Sequence, residues 1–294
     1  MKKNKRYPFM KAFVSLGVKI DFKYADEEIV VICNKEGRLE AIESVVKEVL
    51  KKSKMGFKEA LSIKGKIAYA EGQFYGRVAA QACRMLSLWA RDGDEKWLTL
   101  EMEMCLKNLM GTLWIAGPRI VKMVRNSLPI VIFTDGACED GRTSIGGIIF
   151  VQGEAPEAFG AVMSDWVIKE WATKMDQVQV IGQAEIFPVL VARLTWEKKL
   201  AGNRVLYFID NDSARLALIK SYSPVLPSLR IICECTAWDC KFQSVPWYAR
   251  VSTHANAGDG PSRMDKTEVV KEFGARIVNP VFPIGNKWSS DVLG

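Results

Sequence analysis

Histidine is almost missing from this chain: 294 residues contain one, His254. A polyhistidine metal centre is excluded, and a catalytic scheme needing several imidazoles loses its support. No run of about 18 apolar residues occurs, so no membrane span is expected. The basic start, Met1 to Met10, has no apolar stretch and no small-residue cleavage site, and is not read as a secretory signal. Paired Cys-x2-Cys spacing is absent too. The seven cysteines are odd in number and scattered, which reads as reduced thiols and a cytoplasmic or nuclear setting. Neither an internal repeat nor a low-complexity segment interrupts the chain. What is present is ample apolar material, 49% of residues, enough for two domains with cores of their own.

The charge is unevenly placed. Residues 1–126 hold 24 Lys+Arg against 15 Asp+Glu, a net +9, while residues 127–294 hold 17 against 19, a net −2. A basic half joined to a slightly acidic one suggests that the first grips a polyanion and the second supplies carboxylates for metal. Uneven surface decoration is the plainer alternative.

Texture divides the chain at Asn126-Ser127-Leu128-Pro129. Before it, Ala12–Asp21 and Glu28–Ile32 are β-rich runs that suggest a hairpin. Leu39, Ile42, Val45, Val46, Val49 and Leu50 recur at helical spacing between Arg38 and Lys52. A second helix is expected from about Leu61 to Leu88, interrupted by Gly72 and Gly76, and a third from about Glu95 to Leu113, closed by Ala116-Gly117-Pro118. After the boundary, strands are expected at 130–133, 144–151, around Phe159, at 205–209 and at 247–251, with helices at 183–200, 213–221 and 227–242. Strands interleaved with helices predict an α/β layered domain. The expected division is 1–126, 127–265 and a tail, 266–294, with a last helix near Val269–Phe273 and an irregular end after Pro280 and Pro283.

Four acids in the second half stand out. Asp135 follows the first strand in Thr134-Asp135-Gly136-Ala137. Glu185 lies early on a helix in Gln183-Ala184-Glu185-Ile186. Asp210 ends a strand in Phe208-Ile209-Asp210-Asn211, and Asp259 sits in the polar stretch Thr253 to Gly260. Taken singly, an Asp after a strand is usually a turn former or a helix cap. Together, acids at strand ends face the sheet edge where open α/β sheets bind ligands. Carboxylates gathered there cannot all ionise cheaply without a cation. Hard oxygen ligands suit Mg²⁺ or Mn²⁺, and two such ions about 3.5–4 Å apart can activate water and stabilise a leaving oxygen.

These residues resemble a ribonuclease H domain of the kind fused to retroelement reverse transcriptases. Thr134-Asp135-Gly136-Ala137 with Ile145-Gly146-Gly147-Ile148 is similar to its first hairpin and first metal-binding Asp. Gln183-Ala184-Glu185-Ile186 resembles the helix with the metal-binding Glu, and Ile209-Asp210-Asn211-Asp212-Ser213-Ala214 the third acidic motif. Trp247 to Ser252, then Asn256, Asp259, Ser262 and Arg263, resembles the closing motif, Val-x-Ser-x-x-Asn-x-Ala-Asp-x-x-Ser-Arg, with Gly258 in place of Ala. The likeness covers about residues 128–265. Upstream, Phe13 to Val18 with Asn34 to Arg38 resembles the segment after a polymerase palm. Lys64 to Ala70 and Gly76-Arg77 resemble thumb and connection helices, closest to DIRS-like or gypsy-type elements.

The resemblance implies a mixed five-stranded sheet flanked by helices, preceded by a smaller, mostly helical α+β module. It implies an endoribonuclease that cleaves the RNA strand of an RNA–DNA hybrid, with two Mg²⁺ or Mn²⁺ ions held by Asp135, Glu185, Asp210 and Asp259. Contacts to 2′-hydroxyls across a wide minor groove would select RNA. His254, five residues before Asp259, would shuttle a proton or help product leave, an ordinary loop histidine being the plainer account. The missing partner would be an upstream polymerase palm and fingers. A catalytically inactive nucleic-acid-binding remnant is the alternative, and a ribonuclease-H-fold nuclease acting on DNA is opposed by the Asn256–Arg263 motif.

Other signals are set aside. Tyr24-Ala25-Asp26-Glu27 carries Glu where a polymerase Tyr-x-Asp-Asp needs Asp, so a polar turn fits better and polymerase activity is not expected. Asp212 is read as the cap of a helix starting at Ser213. Cys233, Cys235 and Cys240 lack zinc spacing, and the seven-residue interval from Cys233 to Cys240 suggests one buried helical face. The basic runs Lys2-Lys3-Asn4-Lys5-Arg6 and Lys51-Lys52-Ser53-Lys54 could track a phosphate backbone. Trp89, Trp97 and Trp114 are read as core rather than as base-stacking platforms.

Overall fold

The computed structural model describes residues 10–74, 77, 79–91, 94–123, 127–139, 141–173 and 180–283. The basic run at residues 2–6, Gly76 and Asn126 lie outside the described residues.

The first β-rich run is folded back on itself, as β1 (Ala12–Ser15) and β2 (Val18–Asp21). Leu16 and Gly17 between them both take positive φ, 49° and 77°, the backbone that a two-residue hairpin turn requires. Leu16 masks this turn in the sequence because an apolar residue there reads as strand; it is 90% exposed. β3 (Ile29–Asn34) follows, then α1 (Arg38–Lys52), which buries Ile42, Val46 and Val49 as its spacing predicts. β4 (Lys54–Met55) leads into α2 (Phe57–Glu71), and α3 (Ala80–Trp89) comes after a break. The helix expected over 61–88, interrupted at Gly72 and Gly76, is two helices parted after Gly72. β5 (Lys96–Trp97) pairs with β4, which delays α4 (Leu100–Ile115) past the expected Glu95; its N-cap Thr99 accepts a hydrogen bond from the Met102 amide. β6 (Arg119–Lys122) closes the order β1-β2-β3-β6, antiparallel throughout. Trp97 and Trp114 are exposed, 66% and 53%, so only Trp89 of the three belongs to the core.

The second sheet is built from β7 (Ile130–Glu139), β8 (Arg142–Phe150), β9 (Glu157–Val162), β10 (Arg204–Ile209) and β11 (Val245–Arg250). Between β9 and β10 come α5 (Asp165–Thr173), α6 (Ile181–Thr195) and α7 (Glu197–Leu200); between β10 and β11, α8 (Asp212–Lys220) and α9 (Leu226–Phe242). After β11 follow α10 (Asp259–Ser262), α11 (Thr267–Phe273) and β12 (Arg276–Ile277). The sheet order is β11-β10-β7-β8-β9-β12, with β8 antiparallel to both neighbours and the other pairings parallel. It is the mixed sheet flanked by helices that was expected, with one correction: six strands, not five. The sixth comes from the segment after residue 265, where Arg276 and Ile277 pair with Glu157 and Ala158.

Alternation along the strands assigns the faces. Ile130, Ile132 and Ile145 join Ile186, Leu190, Ile231 and Trp238 in the main core, against α6 and α9. Ile148, Ala158, Val269 and Ala275 form a smaller core on the opposite face, under α11. One charged pair is sealed inside the main layer. Arg193 on α6 has no exposed surface, and its Nε and Nη2 each lie 2.9 Å from an Asp239 oxygen on α9. Its remaining donors reach the Val189 carbonyl at 3.0 Å and the Tyr248 hydroxyl at 2.8 Å.

The two sheets meet through α4 and α9. Met104 and Cys105 pack with Leu229 and Cys233, and the Cys233 thiol donates to Gln81 Oε1 at 2.9 Å. Cys240 packs into the first unit's core while Cys235 faces the main core. Cys233 and Cys240 therefore share one face, and the thiols serve as small buried groups at the junction. Tyr24-Ala25-Asp26-Glu27 forms an exposed turn ending in a 3-10 helix. Among the described residues no helix is long and apolar enough to cross a membrane.

Candidate active site

Asp135 was placed just past the first strand; the structure puts it inside β7, which continues to Glu139. Its neighbour β10 stops earlier. The last paired residues are Phe208 and Phe133, so the chain leaves β10 at Asp210, beside Thr134 and Asp135. Two acids on adjacent parallel strands thus meet where the shorter strand ends, the position at which α/β sheets open to ligands.

Glu185 arrives from α6, and Gly136 decides how closely. A Cβ on Gly136 would collide with the Ala184 carbonyl oxygen, so only glycine lets the first turns of α6 lie against β7. Pro188 sits inside the same helix. Having no N–H, it leaves the Ala184 carbonyl without its usual helical donor at that place. The outcome is a cluster of three: one oxygen from each of Asp135, Glu185 and Asp210 lies within 4.8 Å of the others.

Asp259 and His254, also expected in the site, stand apart from that cluster. Asp259, at the start of α10, is gripped by Arg263, whose Nε lies 3.1 and 3.2 Å from its two oxygens. Arg263 also binds Glu139. Asp259 is near enough to Asp210 for the two charges to repel. His254 is exposed, with Nε2 3.3 Å from Ser252 Oγ. Asp212 departs from its expected role: Asn211 caps α8, its side chain accepting from the Ala214 amide at 3.0 Å, while Asp212 is the first helical residue and pairs with Arg215 and Arg250.

Several contributors lie within the motifs read from the sequence but had no role assigned there. Ser262 Oγ donates to Asp135 Oδ2 at 2.5 Å. Asn256 donates to the Thr134 carbonyl at 3.3 Å and accepts from the Gly258 amide at 3.1 Å, holding the closing loop against β7. Gly146 and Gly160 leave room for the backbone of Pro261 and Ser262, which a Cβ at either place would strike. The Ser262–Asp135 and Asn256–Thr134 contacts link residues 127 and 122 positions apart; only the motif Asn256 to Arg263 pointed toward them.

Electrostatics explain what the cluster requires. Burial, then the neighbouring Asp135 and Asp210 charges, pushes the Glu185 carboxyl from an ordinary 4.5 up to about 8. Burial also pushes Asp135 from 3.8 up to about 6, against the opposing Ser262 hydrogen bond and with the Asp210 and Asp259 charges adding to the rise. Glu185 Oε2 is buried without a hydrogen-bond partner. Three inward carboxylates, one with an unused lone-pair oxygen, fit a hard divalent cation such as Mg²⁺ or Mn²⁺.

The raised acids fix the sign of a pH effect. A carboxyl whose folded pKa exceeds its unfolded value binds its proton more tightly when folded, so stability falls as pH rises between the two values. For Glu185 that window runs from 4.5 to about 8. Glu185→Gln is therefore expected to melt about 5 °C above the cation-free wild type at pH 8, with the gap closing toward pH 4.5. Thermal melts in EDTA across this range check it, and a variant that melts below the wild type at pH 8 contradicts it.

No family model matches this chain, and no curated protein matches it. Among solved structures, it is similar to the N-terminal RNase H domain of rv2228c from Mycobacterium tuberculosis, with 15% identity and a TM-score of 0.33 over 49% of this chain and 98% of that one. RNase H1 from the halophilic archaeon Halobacterium salinarum gives 14% identity and a TM-score of 0.32, over 49% and 99% of the two chains. A foamy viral protease-reverse transcriptase in complex with dsDNA gives 15% identity and a TM-score of 0.29, over 83% of this chain and 45% of that one.

Proposed function

We propose that this chain is a divalent-cation-dependent nuclease that cuts the RNA strand of an RNA–DNA hybrid, and that it forms the C-terminal part of a retroelement reverse transcriptase. The observation that carries the reading is the cluster of Asp135, Glu185 and Asp210, drawn from β7, α6 and the end of β10 and lying within 4.8 Å. Their order in the chain and the closing motif from Asn256 to Arg263 support the ribonuclease H reading over other uses of three acids.

Asp135, Glu185 and Asp210 would hold the cation, and Asp259 would complete the set for a second once Arg263 gives it up. When bound, such ions supply an activated water and charge neutralisation at a leaving oxygen. The chain's own residues orient and exclude. Gly136 and Pro188 set the approach of Glu185, Asn256 and Ser262 fix the closing loop, and the apolar layer behind Ile132 and Ile186 keeps water from the back of the cluster. His254, exposed beside Ser252, would serve for proton transfer only if substrate brings it to the cluster.

Residues 1–126, with a net +9, would act as a thumb- or connection-like module that grips the hybrid backbone, and residues 127–265 as the nuclease, with 266–294 as its C-terminal extension. A gypsy-type or DIRS-like origin is supported by the motifs from Phe13 to Arg38. The turn formed by Tyr24 to Glu27 carries Asp26-Glu27 rather than the Asp-Asp pair of a polymerase motif, so polymerase activity would need an upstream palm.

The test is an incubation of the full chain with Mg²⁺ and a labelled hybrid, with duplex DNA and single-stranded RNA as controls. Internal cuts in the RNA strand of the hybrid alone are the expected result. Cutting of duplex DNA would point instead to a DNA nuclease of the same fold, and tight hybrid binding without cutting in Mg²⁺ or Mn²⁺ would point to an inactive remnant.

A further inference from the structure

We propose that Ser262 is a positioning residue for the cation site: its buried hydroxyl holds the Asp135 carboxylate in the ligating orientation and couples it to the short helix that carries Asp259. The inference rests on the reading of Asp135, Glu185 and Asp210 as a cation site.

Ser262 has no exposed surface. Its Oγ stands 2.5 Å from Asp135 Oδ2 and 2.8 Å from the Asp259 carbonyl oxygen. A hydroxyl carries one proton, and a charged carboxylate is the stronger acceptor, so the proton goes to Asp135. That donation engages Oδ2 of Asp135 and so fixes the rotation of the carboxylate, one oxygen of which lies within 4.8 Å of oxygens from Glu185 and Asp210.

The hydroxyl is itself immobilised from three strands. Ser144 on β8 donates to the Ser262 carbonyl at 2.6 Å. Gly146 on β8 and Gly160 on β9 accept the Pro261–Ser262 backbone in places where any Cβ would collide. Asn256 ties the preceding loop to the Thr134 carbonyl on β7. Because α10 is only four residues long, Asp259 and Ser262 move as one piece, and the Asp135 carboxylate is fixed relative to Asp259 through a single side chain. Partners of this kind, once removed, lower metal affinity by roughly 10–100-fold.

Calorimetric titration of the full-length protein with Mn²⁺ tests the proposal, together with the Mn²⁺-induced rise in melting temperature. Ser262→Ala is expected to bind Mn²⁺ about 10-fold more weakly and to show a smaller Mn²⁺-induced rise. Ser262→Cys, whose thiol is a weaker donor of similar shape, is expected to fall between the two. A lowered cation-free melting temperature with wild-type Mn²⁺ affinity in both variants would assign Ser262 to packing alone and overturn the proposal. Wild-type protein that fails to bind Mn²⁺ at all overturns the cation-site reading first, and this proposal with it.

Discussion

Asp135→Asn is expected to lower the rate of RNA-strand cutting by about 10³-fold or more while hybrid binding changes by less than about threefold. Asp135 sits at the centre of the cluster, on the strand between the one that ends at Asp210 and the one on which α10 is seated. Asparagine keeps the size and still accepts the Ser262 hydrogen bond through its amide oxygen, so the local structure has no cause to move. What is removed is one negative charge from a group of buried acids that repel one another. The cation-free variant should therefore melt no lower than the wild type, which separates loss of chemistry from loss of fold. Cutting rates with labelled hybrid, filter binding and thermal melts on the same preparation are the measurements. Undiminished cutting in Asp135→Asn sinks the assignment of Asp135 to the site.

The second large effect is on stability and lies behind the site. Arg193 and Asp239 form a two-point ion pair with almost no exposed surface, joining α6 to α9. Removing one partner strands the other charge in the core, a loss of about 3–5 kcal/mol. Asp239→Ala should therefore lower the melting temperature by roughly 10 °C. The double change Arg193→Met with Asp239→Leu should restore much of that stability, because burying two matched charges carries its own desolvation cost. Urea unfolding of the two variants checks this; an Asp239→Ala change that costs under about 1 kcal/mol refutes the role given to the pair. Since α6 carries both Arg193 and Glu185, Asp239→Ala should also lose cutting, through the tilt of that helix rather than through contact with substrate.

Much of the element pattern was legible in the chain because it rests on local periodicity. α1 begins and ends where its apolar spacing places it, and β10 and α9 follow their runs of branched and aromatic residues. Errors cluster where a short-range pattern conceals a turn or a distant partner. Leu16 in a hairpin turn reads as strand, and the two-residue strand β12 is too short to have a period and exists only because β9 offers an edge. α4 starts late because Lys96 and Trp97 pair with β4, some 40 residues away.

The site divides in the same way. Sequence alone determined which acids were candidates, since Asp135, Glu185, Asp210 and Asp259 each lie in a short, readable motif, and it determined that histidine could not dominate the chemistry. Tertiary structure alone decided that Asp135, Glu185 and Asp210 converge while Asp259 is held by Arg263, and that Ser262 grips Asp135. The physical reason is that convergence depends on how closely backbones approach. Here glycines at 136, 146 and 160 admit a helix on each face of the sheet, and their neighbours lie 48 to 116 positions away in the chain.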